Sequence, residues 1–233
     1  LCVTDCKLPR ACAESLSRLG FEIVLLPPFA SLPAPVASHA DLLVFPFDKT
    51  LIVHSDYAKT ASKELSRIAS HGYSIKPVSY PVGNEYPLDV GLCTFISRGR
   101  LICNKKYTAP AVLELAHDRG LSVIDVRQGY AKCSCALLAD GAVITADRGI
   151  SAALGASLLI RYGSIALPPY DYGFIGGASG VLEDTVYFTG DISSHPDAER
   201  IAEFCKAHEK KIISLSSEPL NDVGGIFFFP SVK

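Results

Sequence analysis

The chain has 233 residues, 48% hydrophobic and 20% charged, with 22 basic and 24 acidic side chains for a net charge of −2. This composition excludes a disordered segment and leaves no reservoir of positive charge for phosphates or anionic lipid, so neither nucleic acid nor a membrane is an expected partner. Several of the eight cysteines (Cys2, Cys93 and Cys103 among them) sit in apolar runs, and Asp5, Lys7, Arg10 and Glu14 interrupt any apolar leader; both features predict a cytoplasmic protein with free thiols.

In chain order, residues 1–28 predict a strand at Leu1–Thr4, a helix from about Leu8 to Gly20, and a strand at Phe21–Leu26. Residues 39–80 predict two strands around the turn Asp48-Lys49, a helix ending at His71-Gly72, and another strand. The same order recurs in 89–126, around Arg98-Gly99 with a helix ending at Arg119-Gly120. It recurs again in 131–168, around Asp140-Gly141. There Gly149–Ile160 reads as a buried helix, well short of the roughly 20 apolar residues of a membrane span, and the junction is placed at Tyr162-Gly163. In 174–217 the turn is Glu183-Asp184 and the last junction is Lys210-Lys211. Residues 222–233 hold one apolar strand, Gly225–Phe229, with no helix after it.

The punctuation has a physical cause. Glycine accepts the left-handed conformation that closes a helix, and β-branched residues after it begin a strand. Asp-Gly between apolar runs is a strong hairpin signal, and the other three turns fall at the same place in their units. The unit recurs roughly every 45 residues, as in repeat architectures. Pairing Gly225–Phe229 with Leu1–Thr4 would complete the first unit and remove two exposed edges. The expected fold class is therefore α/β: a single domain, 1–233, built as a five-bladed α/β propeller of ββαβ-type repeats closed by its two terminal strands.

In such a ring, equivalent positions of different units converge. Seven residues before each hairpin turn stand Asp41, Gly91, Cys133 and Gly176, so a carboxylate and a thiol share a register position. His39, two residues before Asp41, faces the same side if the segment is extended. A thiol, an imidazole and an orienting carboxylate suit covalent catalysis at a carbon centre. The same residues could instead be inert core groups, and the pattern leaves both readings open.

A second register position ends the second hairpin strand and holds Asp5, Asp56, Lys105, Asp147 and Asp191. These read first as caps or first-turn charges for the helices that follow, and alternatively as ligands for a cationic substrate. The Gly- and Tyr-rich loop Pro168–Gly180 is either a crossover or a ligand-facing segment, with Asp171 its notable charge. Cys133 and Cys135, on one face of an extended strand, could form a redox pair. Without a second Cys pair, a helical HExxH, a GxGxxG or a P-loop, no metal site or nucleotide cofactor is expected.

Two motifs resemble the pentein superfamily of guanidine-group modifying enzymes, which includes arginine deiminase and dimethylarginine dimethylaminohydrolase. His39-Ala40-Asp41 before Leu-Leu-Val-Phe is similar to the family's His-x-Asp segment, and Gly129-Tyr-Ala-Lys-Cys133-Ser is similar to its Gly-Gly-x-x-Cys-x-Ser nucleophile segment. Gln128-Gly-Tyr-Ala-Lys-Cys133-Ser and Asp171-Tyr-Gly-Phe-Ile-Gly-Gly177 also resemble phrases of an uncharacterised bacterial group of that fold. The resemblance implies Cys133 as nucleophile, His39 as general acid/base and Asp41 as guanidinium-binding carboxylate. It implies a small-molecule substrate, a covalent thiouronium-type intermediate, and neither metal nor organic cofactor.

The family's second substrate acid and the glutamate that pairs with its histidine have no counterpart in the motifs. Asp171, Asp147, Asp5 and Asp222 are the candidate substrate-binding acids. The expected function is hydrolysis or amidino transfer at a guanidine or amidine carbon. The alternatives are a non-catalytic pentein binding a protein or metabolite, like the ribosome anti-association initiation factor of that fold, and a thiol redox protein.

Overall fold

The computed structural model describes residues 1–230; residues 231–233, the tail of the closing unit expected from the sequence, lie outside the described residues. The first segment folds as β1 (Cys2–Asp5), α1 (Arg10–Arg18) and β2 (Ile23–Leu26). The second contains α2 (Ala40–Leu43), β3 (Val44–Phe47), β4 (Thr50–His54), α3 (Ser55–Thr60), α4 (Ser62–Ser70) and β5 (Ser74–Val78). The third is β6 (Phe95–Ser97), β7 (Arg100–Cys103), α5 (Pro110–Asp118) and β8 (Ser122–Asp125). The fourth is β9 (Cys135–Leu137), β10 (Val143–Thr145), α6 (Arg148–Leu154) and β11 (Ser157–Leu159). The fifth is β12 (Ser179–Leu182), β13 (Thr185–Phe188), α7 (Ala198–Ala207) and β14 (Lys211–Ser214), and β15 (Phe227–Phe228) follows.

These strands form five three-stranded sheets of one design. In each, the middle strand pairs antiparallel with its hairpin partner and parallel with the strand that follows its helix. The hairpin partner of β1 comes from the other end of the chain, with Cys2 opposite Phe228 and Val3 opposite Phe227. Five of the helices bury two residues three or four apart: Cys12 and Leu16, Leu65 and Ile68, Val112 and Ala116, Ile150 and Leu154, and Ile201 and Cys205. That spacing gives each helix one apolar stripe turned into the core; the stripe of α1 meets Tyr187 and Leu215 of the fifth segment as well as its own strand residue Cys2.

Asp48, Arg98 and Glu183 begin two-residue hairpin loops with φ of 50°, 51° and 52°, the hand that matches the twist of the flanking strands. Asp140-Gly141 also turns a hairpin, within the longer loop Leu138–Ala142, where Gly141 N donates to Leu138 O at 2.9 Å.

Two expectations are corrected. The apolar run Gly149–Ile160 is not one helix, and the fourth junction is not at Gly163. Helix α6 ends at Leu154, because Gly155 takes φ 74°, and Ser157–Leu159 is already a strand. Uniform hydropathy concealed a helix-to-strand switch that one left-handed residue imposes. The segments that lead into the first hairpin strands are also not extended. Each is a single helical turn: Leu43 N donates to His39 O (3.2 Å), Ser134 N to Tyr130 O (3.0 Å) and Ala178 N to Phe174 O (3.1 Å). Asp41, Cys133 and Gly176 all sit in such turns.

Candidate functional site

The turns set the geometry of the site. A helical turn sends residues three or four apart to one side, so His39 and Leu42, and likewise Tyr130 and Cys133, line one cavity of about 290 Å³. Tyr170, Asp171, Tyr172 and Phe174 of the Gly- and Tyr-rich loop and Asp222 complete its wall. His39 and Cys133, 94 positions apart in the chain, thus open onto the same space.

His39 is 3% exposed and stands between two buried carboxylates, with Nε2 3.6 Å from Asp5 Oδ2 and Nδ1 3.7 Å from Asp222 Oδ1. Asp5 is itself fixed, because Oδ1 accepts from Lys7 N and Ser38 Oγ, both at 2.6 Å. Asp222 accepts from Phe174 N at 2.8 Å and Gly224 N at 2.9 Å. Burial pushes the Asp222 carboxyl up to about 6, opposed by the neighbouring His39 and reinforced by Asp41.

Asp41 is 1% exposed, and neither carboxylate oxygen has a hydrogen-bond partner. Its backbone N–H donates to Gly224 O at 3.0 Å, which ties the turn of His39 to the loop that carries Asp222. A buried carboxylate without donors costs free energy until a cation or a proton arrives. Asp41 does not itself line the cavity; it acts on the site through its charge, which helps to raise both the Asp222 carboxyl and the Cys133 thiol.

Cys133 is 3% exposed, and its thiol is held well above the ordinary value by burial first, then by the Cys93 thiol and by the nearby Asp41 and Asp222. Its sulfur lies 3.3 Å from that of Cys93. Tyr130 Oη, also at the cavity, donates to Asp89 Oδ2 at 2.5 Å. Burial in turn raises the Asp89 carboxyl.

Of the residues singled out from sequence, Cys133, His39, Asp171 and Asp222 line this cavity. Asp5 backs His39 from behind and lines an adjoining hollow. Asp147 does not line it: Asp147 lies with Gln128 and Arg161 in an adjoining cavity that shares Tyr172 and Phe174 with the first, and its Oδ1 caps α6 by accepting from Ile150 N at 2.8 Å. Asp191 likewise accepts from Ser193 N at 2.9 Å, so both follow the capping reading of that register position. Of the suggested redox pair, Cys135 lies in β9 while Cys133 belongs to the turn before it, where its sulfur meets that of Cys93. Sequence reasoning missed Cys93 and Tyr130. The three-residue spacing from Tyr130 to Cys133 would have exposed Tyr130 had the helical turn been anticipated, whereas Cys93 carries no such signal. Among the described residues no group of three or more His, Cys, Asp or Glu is placed to hold a metal ion.

A family profile matches residues 3–227 and is described as a family of unknown function, DUF6873. No curated protein matches the chain. Among solved structures, dimethylarginine dimethylaminohydrolase from Pseudomonas aeruginosa, complexed with citrulline, is 11% identical, covers 93% of this chain and 91% of its own, and has a TM-score of 0.56. An amidinotransferase of saxitoxin biosynthesis from Microseira wollei is 11% identical over 88% of this chain and 72% of its own, with a TM-score of 0.55. The N-terminal domain of a cyanobacterial arginine dihydrolase, bound to substrate, is 9% identical over 89% and 79%, with a TM-score of 0.53. These are pentein-fold guanidine-modifying enzymes, and the chain shares their fold.

Proposed function

The chain belongs to the DUF6873 family, and on that premise we propose that it is a cysteine-dependent hydrolase or amidinotransferase acting on the guanidine or amidine carbon of a small molecule. The observation that carries this reading is the meeting of Cys133 and His39 in one cavity whose wall also holds the acids Asp171 and Asp222. A planar cation fits that cavity, since Asp171 and Asp222 in its wall offer negative charge and acceptor oxygens.

The same cation activates the nucleophile. Asp41 and Asp222 both hold the Cys133 proton on, and neutralising their field lowers the cost of the thiolate. Cys133 passes its proton to His39, the thiolate attacks the central carbon, and the His39 imidazolium gives that proton to the departing amine as the C–N bond breaks. Asp5 and Asp222 stabilise the imidazolium before the transfer. Water, or an acceptor amine in the transferase case, then adds to the thiouronium carbon and gives a proton to His39, and the C–S bond breaks to regenerate the thiolate. A purely binding pentein would have no use for an imidazole held between two acids beside a thiol.

The same reading takes the chain as one domain whose five sheets stand around a common axis. Its support is that β3, β6, β9, β12 and β15, the hairpin strand of every sheet, contribute to the wall of one cavity, and that β12 touches both β9 and β15.

The test is a screen of arginine derivatives and smaller guanidines for ureido product and released amine by mass spectrometry, with Cys133→Ser and His39→Ala as controls. Turnover by the parent that both substitutions abolish is the expected result. Turnover that survives Cys133→Ser, or failure of every guanidinium compound to lower the thiolate titration of Cys133, overturns the reading.

A further inference from the structure

Lys132 precedes Cys133 in the chain, yet it lines a different cavity, of about 380 Å³, that shares no lining residue with the first. Aromatic side chains dominate its wall: Phe45, Phe47, Phe95, Phe227 and Phe228 come from three different sheets. Thr94 and Ser179 in the wall spend their hydroxyls on Ile102 O and Gly176 O, which leaves one under-satisfied polar group in a largely apolar cavity above about 300 Å³, the general marks of a small-molecule site.

The polar group is out of balance. Lys132 is 9% exposed, and its Nζ makes one long hydrogen bond, to Gly176 O at 3.4 Å, and stands 5.3 Å from the centroid of the Phe227 ring. An ammonium carries three donors, and no carboxylate pairs with this one among the described residues. The acid in the wall, Asp48, is directed elsewhere: its side chain is 60% exposed and pairs with Arg119 at 3.1 Å. A buried cation with neither counter-ion nor full hydrogen bonding is costly, and an anion entering the cavity would offset that cost. A doubly charged phosphate would find a single cation and apolar walls, whereas a singly charged carboxylate on a flat apolar body would match both charge and lining.

We propose that this cavity is a second ligand site, separate from the Cys133 cavity, for a small aromatic monocarboxylate: its carboxylate pairs with Lys132 Nζ and its ring lies among Phe47, Phe227 and Phe228. The site stands on its own geometry and does not depend on the guanidine chemistry proposed above.

The experiment is a calorimetric titration of the intact chain with phenylacetate and with its uncharged isostere phenylacetamide, repeated on Lys132→Met, which keeps the apolar stem. The expected results are saturable phenylacetate binding, at least tenfold weaker binding of phenylacetamide, and a loss of at least tenfold in Lys132→Met whose melting curve shows it folded. Cys133→Ala, in the other cavity, retains the parent affinity. Absence of saturable binding, equal affinity for acid and amide, or loss of binding in Cys133→Ala overturns the proposal. The acid–amide comparison needs no variant, so it decides even if Lys132→Met does not fold. A stable dimer in sedimentation that excludes phenylacetate also overturns it, since the phenylalanines would then face a second copy.

Discussion

The sulfurs of Cys93 and Cys133 lie 3.3 Å apart although 40 residues separate them. Both thiols are buried, and bonding them needs the gap to close to about 2.05 Å. Mild oxidation with diamide, which accepts the two electrons and two protons released, is expected to link Cys93 to Cys133 and to remove two titratable thiols. Peptide mapping checks the pairing, and a Cys133–Cys135 link in its place would refute it. Cys93→Ala removes one of the groups that hold the Cys133 proton on, so Cys133 should alkylate faster at a given pH in that variant.

Asp222 gives stability a pH signature. Its carboxyl is raised from an ordinary 3.8 to about 6, so between those values the folded state holds a proton that the unfolded state has released. The contribution is complete below the ordinary value and is lost as pH rises through 6. Urea midpoints from pH 4 to 7 should fall more steeply for the parent than for Asp222→Asn. Parallel curves would show that Asp222 does not titrate in this range.

Gly177 leaves room for that carboxylate, since a Cβ there would overlap Asp222 Oδ1. Gly177→Ala should push Asp222 off Gly224 N and misalign His39. We expect a stability loss of about 1–3 kcal/mol, the overpacking range, together with loss of any His39-dependent change in Cys133 reactivity. A fully stable Gly177→Ala with parent-like reactivity would contradict this packing.

Asp147→Ala separates capping from ligand binding. Removing the acceptor for Ile150 N should cost about 1 kcal/mol, the usual worth of an N-cap, and leave the Cys133 alkylation profile unchanged. A variant that melts like the parent but alters Cys133 reactivity would return Asp147 to the substrate site.

Local chemistry is legible along the chain wherever it is short-range. The turns at Asp48-Lys49, Arg98-Gly99 and Glu183-Asp184, the helix stripes and the pairing of Cys2–Val3 with Phe227–Phe228 follow from hydropathy, turn residues and repeat spacing. The register shared by Asp41 and Cys133 was equally visible, because a repeated unit turns sequence position into spatial position. The break at Gly155 and the helical turns at His39–Leu43 and Tyr130–Ser134 were not, since a single left-handed residue or a four-residue turn leaves no period to read.

By itself, then, the sequence determined the five repeated units, their α/β order and the candidacy of Cys133, His39 and Asp41, because local patterns recur at a fixed spacing and short motifs mark the residues within them. Tertiary structure alone decided which acids face His39, that Cys133 meets Cys93 rather than Cys135, and that Asp41 is left without donors. Those facts depend on through-space distance and desolvation, and groups such as Asp5 and Asp222, at opposite ends of the chain, share an environment only after the sheets have packed.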